Sequence, residues 1–201
     1  MTMMEEQTEK KRKLLLNSAI TVFALNGYYK SRISDIVKEA NVAYGLFYHY
    51  FPSKDDILVK IFQTSWLNLV NKIDEVNKSV KDPLERIYKV VEYMYMNYHR
   101  NPDLMKVLIM DVPRLERFYD EDNQQIYKKF FSKLETIIIE GQNSGKISNA
   151  CDPAICSFMV HGVVDAVIRQ YVYNPNFNVS AMPIKKVVDQ TMKVLTKGFI
   201  S

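Results

Sequence analysis

Apolar residues recur at three- and four-residue intervals along most of the chain, the repeat of helices that each bury one face. Leu15, Leu16, Ala19, Ile20 and Phe23 form the first stripe, and the pattern predicts a helix from near Thr8 to Asn26-Gly27, residues that end helices well. Ile33, Ile36 and Val37 mark a second, short helix, with Ser31 placed to cap it. Ala40 and Asn41 end it, because Asn enters the left-handed conformation cheaply. Val42 then anchors a tight turn, and residues 43–50 form the next helix. Pro52-Ser53-Lys54-Asp55-Asp56 opens a fourth, with acids in the first turn where the helix dipole favours them. It runs through Ile57, Ile61, Trp66, Leu69 and Ile73 to about Val80. Further helices are predicted from Leu84 to Tyr98, from Asp103 to about Asp111, and from about Phe118 to Asn143. The last two run from Pro153 to about Tyr173 and from Pro183 to about Lys197. Asp82-Pro83, Asn101-Pro102, Pro113, Gly145 and the loop 174–180 punctuate them. Glycine is scarce and β-branched alternation is rare, so the class is all-α.

Composition narrows this only a little. A chain of 201 residues fits one or two domains and buries a substantial core. A net charge of +4 permits nucleic-acid binding without arguing for it. The distribution says more: Lys10, Lys11, Arg12 and Lys13 lie on the first helix, and Lys30, Arg32 and Lys54 flank the two short ones. Cys151 and Cys156 have no His/Cys companions, so neither a zinc site nor a disulfide framework is expected and both thiols should be reduced. No metal or cofactor site is read. No nucleophile–base–acid grouping or glycine-rich phosphate loop is visible, which argues against an enzyme. Without an apolar run of membrane-spanning length or a signal segment, no membrane association and a cytoplasmic location are expected.

The stretch from Gly27 to Phe51 is a helix-turn-helix, whose second helix can lie in the DNA major groove. Gly27-Tyr28, Ser31, Asp35-Ile36, Ala40-Asn41-Val42, Gly45, Tyr48-His49-Tyr50-Phe51 and Ser53-Lys54 closely resemble the DNA-binding domain of the TetR family of bacterial regulators. Asn41 stands where the family usually has Gly, Ala43 where it has Ser, and Tyr44 where a basic residue is common. Ala43 cannot cap the second helix, a loss of about 1 kcal/mol at similar sites. The resemblance implies an N-terminal three-helix DNA-binding domain over residues 1–53 and a C-terminal helical effector-binding and dimerisation domain over 54–201. Residues 54–80 would connect the two. Tyr44 and Leu46 occupy the early turn that meets bases in this motif, and either can touch a thymine methyl. Gly45 lets the helix approach the duplex closely. Phe47, Tyr50 and Phe51 face inward, leaving Tyr48 and His49 to bond phosphate oxygens. The resemblance places Tyr48, His49, Ser31 and Lys54 on the DNA backbone, and Arg32 and Ala43 complete the expected contact set.

The resemblance also implies a regulatory domain that binds a small molecule and forms a homodimer through its last two helices. Phe158, Gly162, Asp165, Ala166 and Arg169 lie on one face, and Val187, Val188, Thr191, Met192, Leu195 and Phe199 on the other. Doubled by a two-fold axis, such a pair makes a four-helix bundle reading a pseudo-palindromic double-stranded operator. Tyr93, Met94, Met110, Phe130 and Phe158 supply adaptable aromatic and thioether surface for an apolar or planar effector. The same stripes also suit a plain core. His161 and Asp165, one turn apart, can fix a ligand's polar end, satisfy each other, or meet the dimer mate. The order of elements resembles, more loosely, the fatty-acid-responsive members of the family, which implies an acyl-CoA or other long-chain lipid. The alternative is a multidrug-efflux regulator sensing aromatic or cationic compounds. Either would be a repressor released from its operator when the effector shifts the fourth helix.

Overall fold

A computed structural model describes residues 3–174 and 183–197. Among these residues nine α-helices form. They are α1 (Met3–Asn26), α2 (Ile33–Glu39), α3 (Tyr44–Tyr50), α4 (Lys54–Ser79), α5 (Pro83–Arg100), α6 (Pro102–Met110), α7 (Glu121–Asn143), α8 (Pro153–Tyr173) and α9 (Ile184–Lys197). The all-α class is as the sequence predicts. The chain divides into two compact units: Met1–Ser65 with Asp103–Asn123, and Trp66–Pro102 with Gln124–Ser201. Both α4 and α7 run from one unit into the other.

In the first unit α1 packs on α2 and α2 on α3. Leu15, Phe23, Ile36, Phe47, Ile57, Leu58 and Phe62 are among its fully buried side chains. In the second, α5 packs on α8 and α9, and α8 on α9, around Ile73, Phe130, Leu134, Ile137 and Ile138. Tyr95 of α5 and Thr191 of α9 join hydroxyls at 2.9 Å in that core. Asp82 caps α5 by accepting from the Leu84 amide at 2.8 Å, and Asp152 caps α8 through Ile155 at 3.1 Å. α8 is long and apolar enough, by length and composition, to cross a membrane. Here Val160, Val164, Ile168 and Tyr171 are buried, and Asp165 and Arg169 on it form an ion pair at 2.6 Å.

Several boundaries differ from expectation for local reasons. α1 starts at Met3 rather than near Thr8, with Glu5 and Glu6 in its first turn and an Arg12–Glu9 ion pair at 2.9 Å supporting the added turns. Ser31 does not cap α2. Arg32 holds the N-cap position, and its amide donates to Asp35 at 2.8 Å. Between α6 and α7 lie two 3₁₀ turns, Val112–Arg114 and Glu116–Tyr119, so α7 begins at Glu121 and not at Phe118. Cys151 and Cys156 form a disulfide, where two free thiols were expected; the bend into α8 brings their Cα atoms to 6.4 Å, within bridging range. The predicted loop beyond Asn174, the exit at Gly198 and the stripe residue Phe199 lie outside the described residues.

Candidate functional site

The helix-turn-helix is built from local backbone chemistry. α1 ends at Gly27, whose φ of +77° only glycine adopts without cost. Asn41 takes φ 51°, the left-handed turn read from its identity. The Val42 amide then reaches back to the Val37 carbonyl at 3.0 Å, closing the helix end. Ala43 enters α3 extended and without a side-chain cap. α3 seats itself through Phe47, which is fully buried and lies 5.8 Å, ring to ring, from buried Phe51. Tyr50 is half-buried.

The opposite side of α3 is open. Ala43, Tyr44, Gly45, Tyr48 and His49 are exposed, and Leu46 is half-buried beside them. Tyr44 and Tyr48 pair one turn apart, with ring centroids at 5.6 Å and hydroxyls at 3.4 Å. A Cβ built on Gly45 would meet nothing within 4 Å, so no packing inside the protein requires glycine there. Arg32 is also exposed.

Two residues predicted to touch DNA are turned inward. Ser31 is buried, and its hydroxyl donates to the Gly27 carbonyl at 2.8 Å. The Lys54 ammonium donates to the carbonyls of Tyr28 at 2.9 Å and Ser31 at 3.0 Å, and sits 4.2 Å above the Tyr28 ring. Burial lowers its pKa, against the opposing charges of Asp55 and Asp111. Tyr28, Asp55, Asp56, Asp111 and Arg117 were missed by sequence reasoning. The Tyr28 hydroxyl donates to Asp55, and its pKa is raised by burial and then by that bond. Its amide donates to buried Asp111 at 3.3 Å. Burial raises the pKa of Asp111 although the Tyr28 amide opposes it. Arg117 pairs with Asp56 at 2.7 Å, and Tyr29 donates to the Arg114 carbonyl at 3.0 Å. The segment after α6 is thereby tied to the loop between α1 and α2 and to the start of α4, all within one unit.

In the second unit, Phe130, Phe158, His161 and Asp165 come together, joined by Trp66, Tyr127 and Phe131. The His161 ring stacks on Trp66 at 5.5 Å and meets Phe131 at 5.3 Å and Phe130 at 5.8 Å. Trp66 lies 4.6 Å from Tyr127, and Phe158 5.0 Å from Phe131. Burial lowers the His161 pKa, outweighing Asp165, so the imidazole is neutral at pH 7. Asp165 bonds Arg169, which in turn bonds the Tyr173 hydroxyl at 3.2 Å. Tyr93 instead lies under Lys72, whose ammonium is 5.7 Å from its ring, Met94 is a buried core residue of α5, and Met110 belongs to the other unit. A separate cavity of about 210 Å³ is lined by Leu84, Ile147, Cys151, Cys156 and Met192, among others, and by none of the predicted ligand residues. Among the described residues no group of three His, Cys, Asp or Glu is arranged for a metal.

A three-helix head with an open recognition face, in an all-helical chain, defines a helix-turn-helix regulator of transcription. The chain belongs to the TetR family of bacterial regulatory proteins: the tetR family N-terminal domain matches residues 15–61, and a YsiA-like C-terminal region matches 62–198. It is 27% identical over 169 residues to the fatty acid metabolism regulator protein of Bacillus subtilis, spanning 84% of this chain and 87% of that one. The crystal structure of FadR from Bacillus subtilis in complex with stearoyl-CoA shares the fold at TM-score 0.82 and 24% identity, covering 94% of this chain and 99% of that one. FadR from Bacillus halodurans does so at TM-score 0.84 and 23% identity, over 94% and 96%. The family comprises regulators rather than enzymes.

Proposed function

We propose that the chain is a cytoplasmic repressor that binds a palindromic operator as a homodimer and releases it on binding a long-chain acyl-CoA or related lipid. The open face of α3 carries the DNA half of this reading. Four exposed positions, Ala43, Tyr44, Tyr48 and His49, flank exposed Gly45, whose missing side chain no packing inside the protein requires. The base-reading role falls to Tyr44 with Leu46, and the phosphate role to Tyr48, His49 and Arg32. Lys54 and Ser31 act one step back, fixing the loop that aims α3. Dimerisation is supported by α8, which leaves Ile155, Phe158, Met159 and Tyr173 each half or more exposed.

The effector half rests on the aromatic cluster around His161, a set of packed rings with a neutral imidazole, a phenol and an indole N–H among its polar groups. A stearoyl-CoA complex of a protein with the same fold supports a lipid. A cationic drug is less well matched, because the one carboxylate at the cluster, Asp165, is already paired with Arg169. α4 links the two halves covalently: Lys54 and Asp56 at its start hold the head, and Trp66 farther along stacks on His161. An effector that displaces Trp66 moves the element on which α3 is aimed. The effector must therefore bind the released state more tightly, and operator binding must weaken effector binding by the same factor.

The test is selection of genomic fragments by the purified protein, followed by titration of oleoyl-CoA against the selected operator. A pseudo-palindrome released by acyl-CoA in wild type, and held by Trp66→Ala at the same concentrations, supports the reading. Unchanged operator affinity at saturating acyl-CoA removes the lipid assignment.

A further inference from the structure

We propose that Cys151 and Cys156 are a site of reversible thiol–disulfide exchange, whose oxidised form pins one wall of the apolar cavity in the second unit. The pair straddles the start of α8. Cys151 precedes the cap residue Asp152, and Cys156 ends the first turn, its amide bonded to the Asp152 carbonyl at 2.9 Å. Both are half-buried, so a small reagent reaches them. Both line the 210 Å³ cavity, together with Ile147 of the preceding loop and Met159 and Met192.

That loop, residues 144–152, is held to the end of α7 in its first half, where the Lys146 and Ile147 amides donate to the Gly141 carbonyl at 2.9 and 3.0 Å, and has fewer holds beyond Ile147. Ile147 lies so close to α7 that a Cβ on Gly141 would fall 2.5 Å from it. Gln142 donates to the carbonyls of Ser148 at 2.9 Å and Cys151 at 2.8 Å. Lys146 pairs with Asp82, the cap of α5. An exposed ion pair such as that holds weakly. The disulfide is thus the covalent member of a small set of tethers, and it closes a ring from the loop to the first turn of α8. In a reducing compartment such a bond cycles rather than staying closed, which is the usual behaviour of sensing disulfides there.

The exchange partner is a low-molecular-weight disulfide. The thiolate of one cysteine attacks it, forming a mixed disulfide and releasing one small thiol. The second cysteine, as thiolate, then attacks the protein sulfur of that mixed disulfide and expels the other small thiol. The protein gives up two electrons and two protons, and the small disulfide takes them up as two thiols. Excess small thiol runs the steps backwards. Reduction frees the far end of the loop from α8, leaving it held by the amides of Lys146 and Ile147 on the Gly141 carbonyl and by the Gln142 and Lys146 side chains, so the cavity wall opens more often.

The test uses the full chain equilibrated in oxidised and reduced glutathione, with thiols counted by alkylation and intact mass. Hydrogen exchange is followed over residues 144–152. The expected result is two thiols in reduced buffer, none after equilibration in oxidised buffer, and exchange of the loop at least about tenfold faster when reduced. Cys151→Ser and Cys156→Ser should each show the fast exchange in both buffers, with α3 and the rest of the first unit unchanged. Two free thiols persisting in oxidised glutathione would overturn the site. Closure of the bond with loop exchange equal in both buffers would overturn its action on the wall. Capture of a single stable glutathione adduct, with no internal bond, would overturn the pairing.

Discussion

Lys54→Ala separates two roles that this residue can play beside DNA. In the structure its ammonium donates to two backbone carbonyls, at 2.9 and 3.0 Å, and covers the Tyr28 ring at 4.2 Å. A hydrogen bond from a charged donor contributes about 1.5–3 kcal/mol, and a partly exposed cation–π contact about 0.5–1 kcal/mol. Desolvation of the ammonium opposes this, as its lowered pKa records, and water reaches part of the vacated site. The net loss on truncation is therefore about 2 kcal/mol. It falls on the loop between α1 and α2, because both carbonyls belong to it. Operator affinity should fall with it, while the dependence of affinity on salt should hardly change, since no phosphate contact has been removed. A direct phosphate contact behaves in the opposite way: its loss lowers the salt slope by about 0.9 and leaves stability nearly intact. Urea unfolding of the variant and operator titrations at several salt concentrations measure both. A slope reduced by about one unit with unchanged unfolding would refute the clamp and return Lys54 to the DNA surface.

Substitutions at three further residues address the rest of the site. Gly45→Ala should raise stability by up to about 1 kcal/mol, since Ala favours a helix and the added carbon meets open space, yet weaken operator binding if DNA approaches that position; thermal unfolding and gel shift report the two separately. His161 has a folded pKa below its unfolded value, so the unfolded chain binds the extra proton first and stability falls as pH drops below about 6.5 toward the lowered folded value. His161→Asn should flatten that acid limb in urea titrations between pH 5 and pH 7, and an unchanged limb would assign it elsewhere. Asp111→Asn keeps an acceptor for the Tyr28 amide while removing a buried charge, so stability at neutral pH should hold or improve. Asp111→Ala should lose about 1–3 kcal/mol by leaving that amide unpaired.

What the sequence made legible was mostly local. The stripe Leu15, Leu16, Ala19, Ile20 and Phe23 identified the buried face of α1, because helix periodicity needs no knowledge of the partner. Asn41 announced the turn because few other residues enter the left-handed region cheaply. The exposure of Tyr44, Gly45, Tyr48 and His49 followed from Phe47 facing the core, since residues on one short helix fix each other's direction. The contacts of Lys54 were not legible in this way. Residue type and position suited a phosphate, and only the fold shows two carbonyls waiting for its ammonium. The Tyr28–Asp111 bond joins residues 83 apart, a separation about which periodicity is silent. Met110 was grouped with Phe130 on chemical character alone, which carries no address, and the chain places it in the other unit. The Cys pair was misread for a related reason: the absence of a framework argues against several bridges, not against one across a helix start.

The same contrast explains how the proposed switch can work through α4. Its head-end residues Lys54, Asp55 and Asp56 are charged and engage carbonyls, a phenol and a guanidinium; such contacts are directional and fix orientation closely. Farther along, Trp66 engages rings of His161, Phe130, Phe131 and Tyr127, packing contacts that lack the charged hydrogen bonds of the head end. An effector entering the ring cluster therefore meets a deformable grip at Trp66, while the first turn of the helix stays fixed to the loop that aims α3. In the proposed switch the effector acts on α4 at Trp66, the part of that helix whose contacts are least directional.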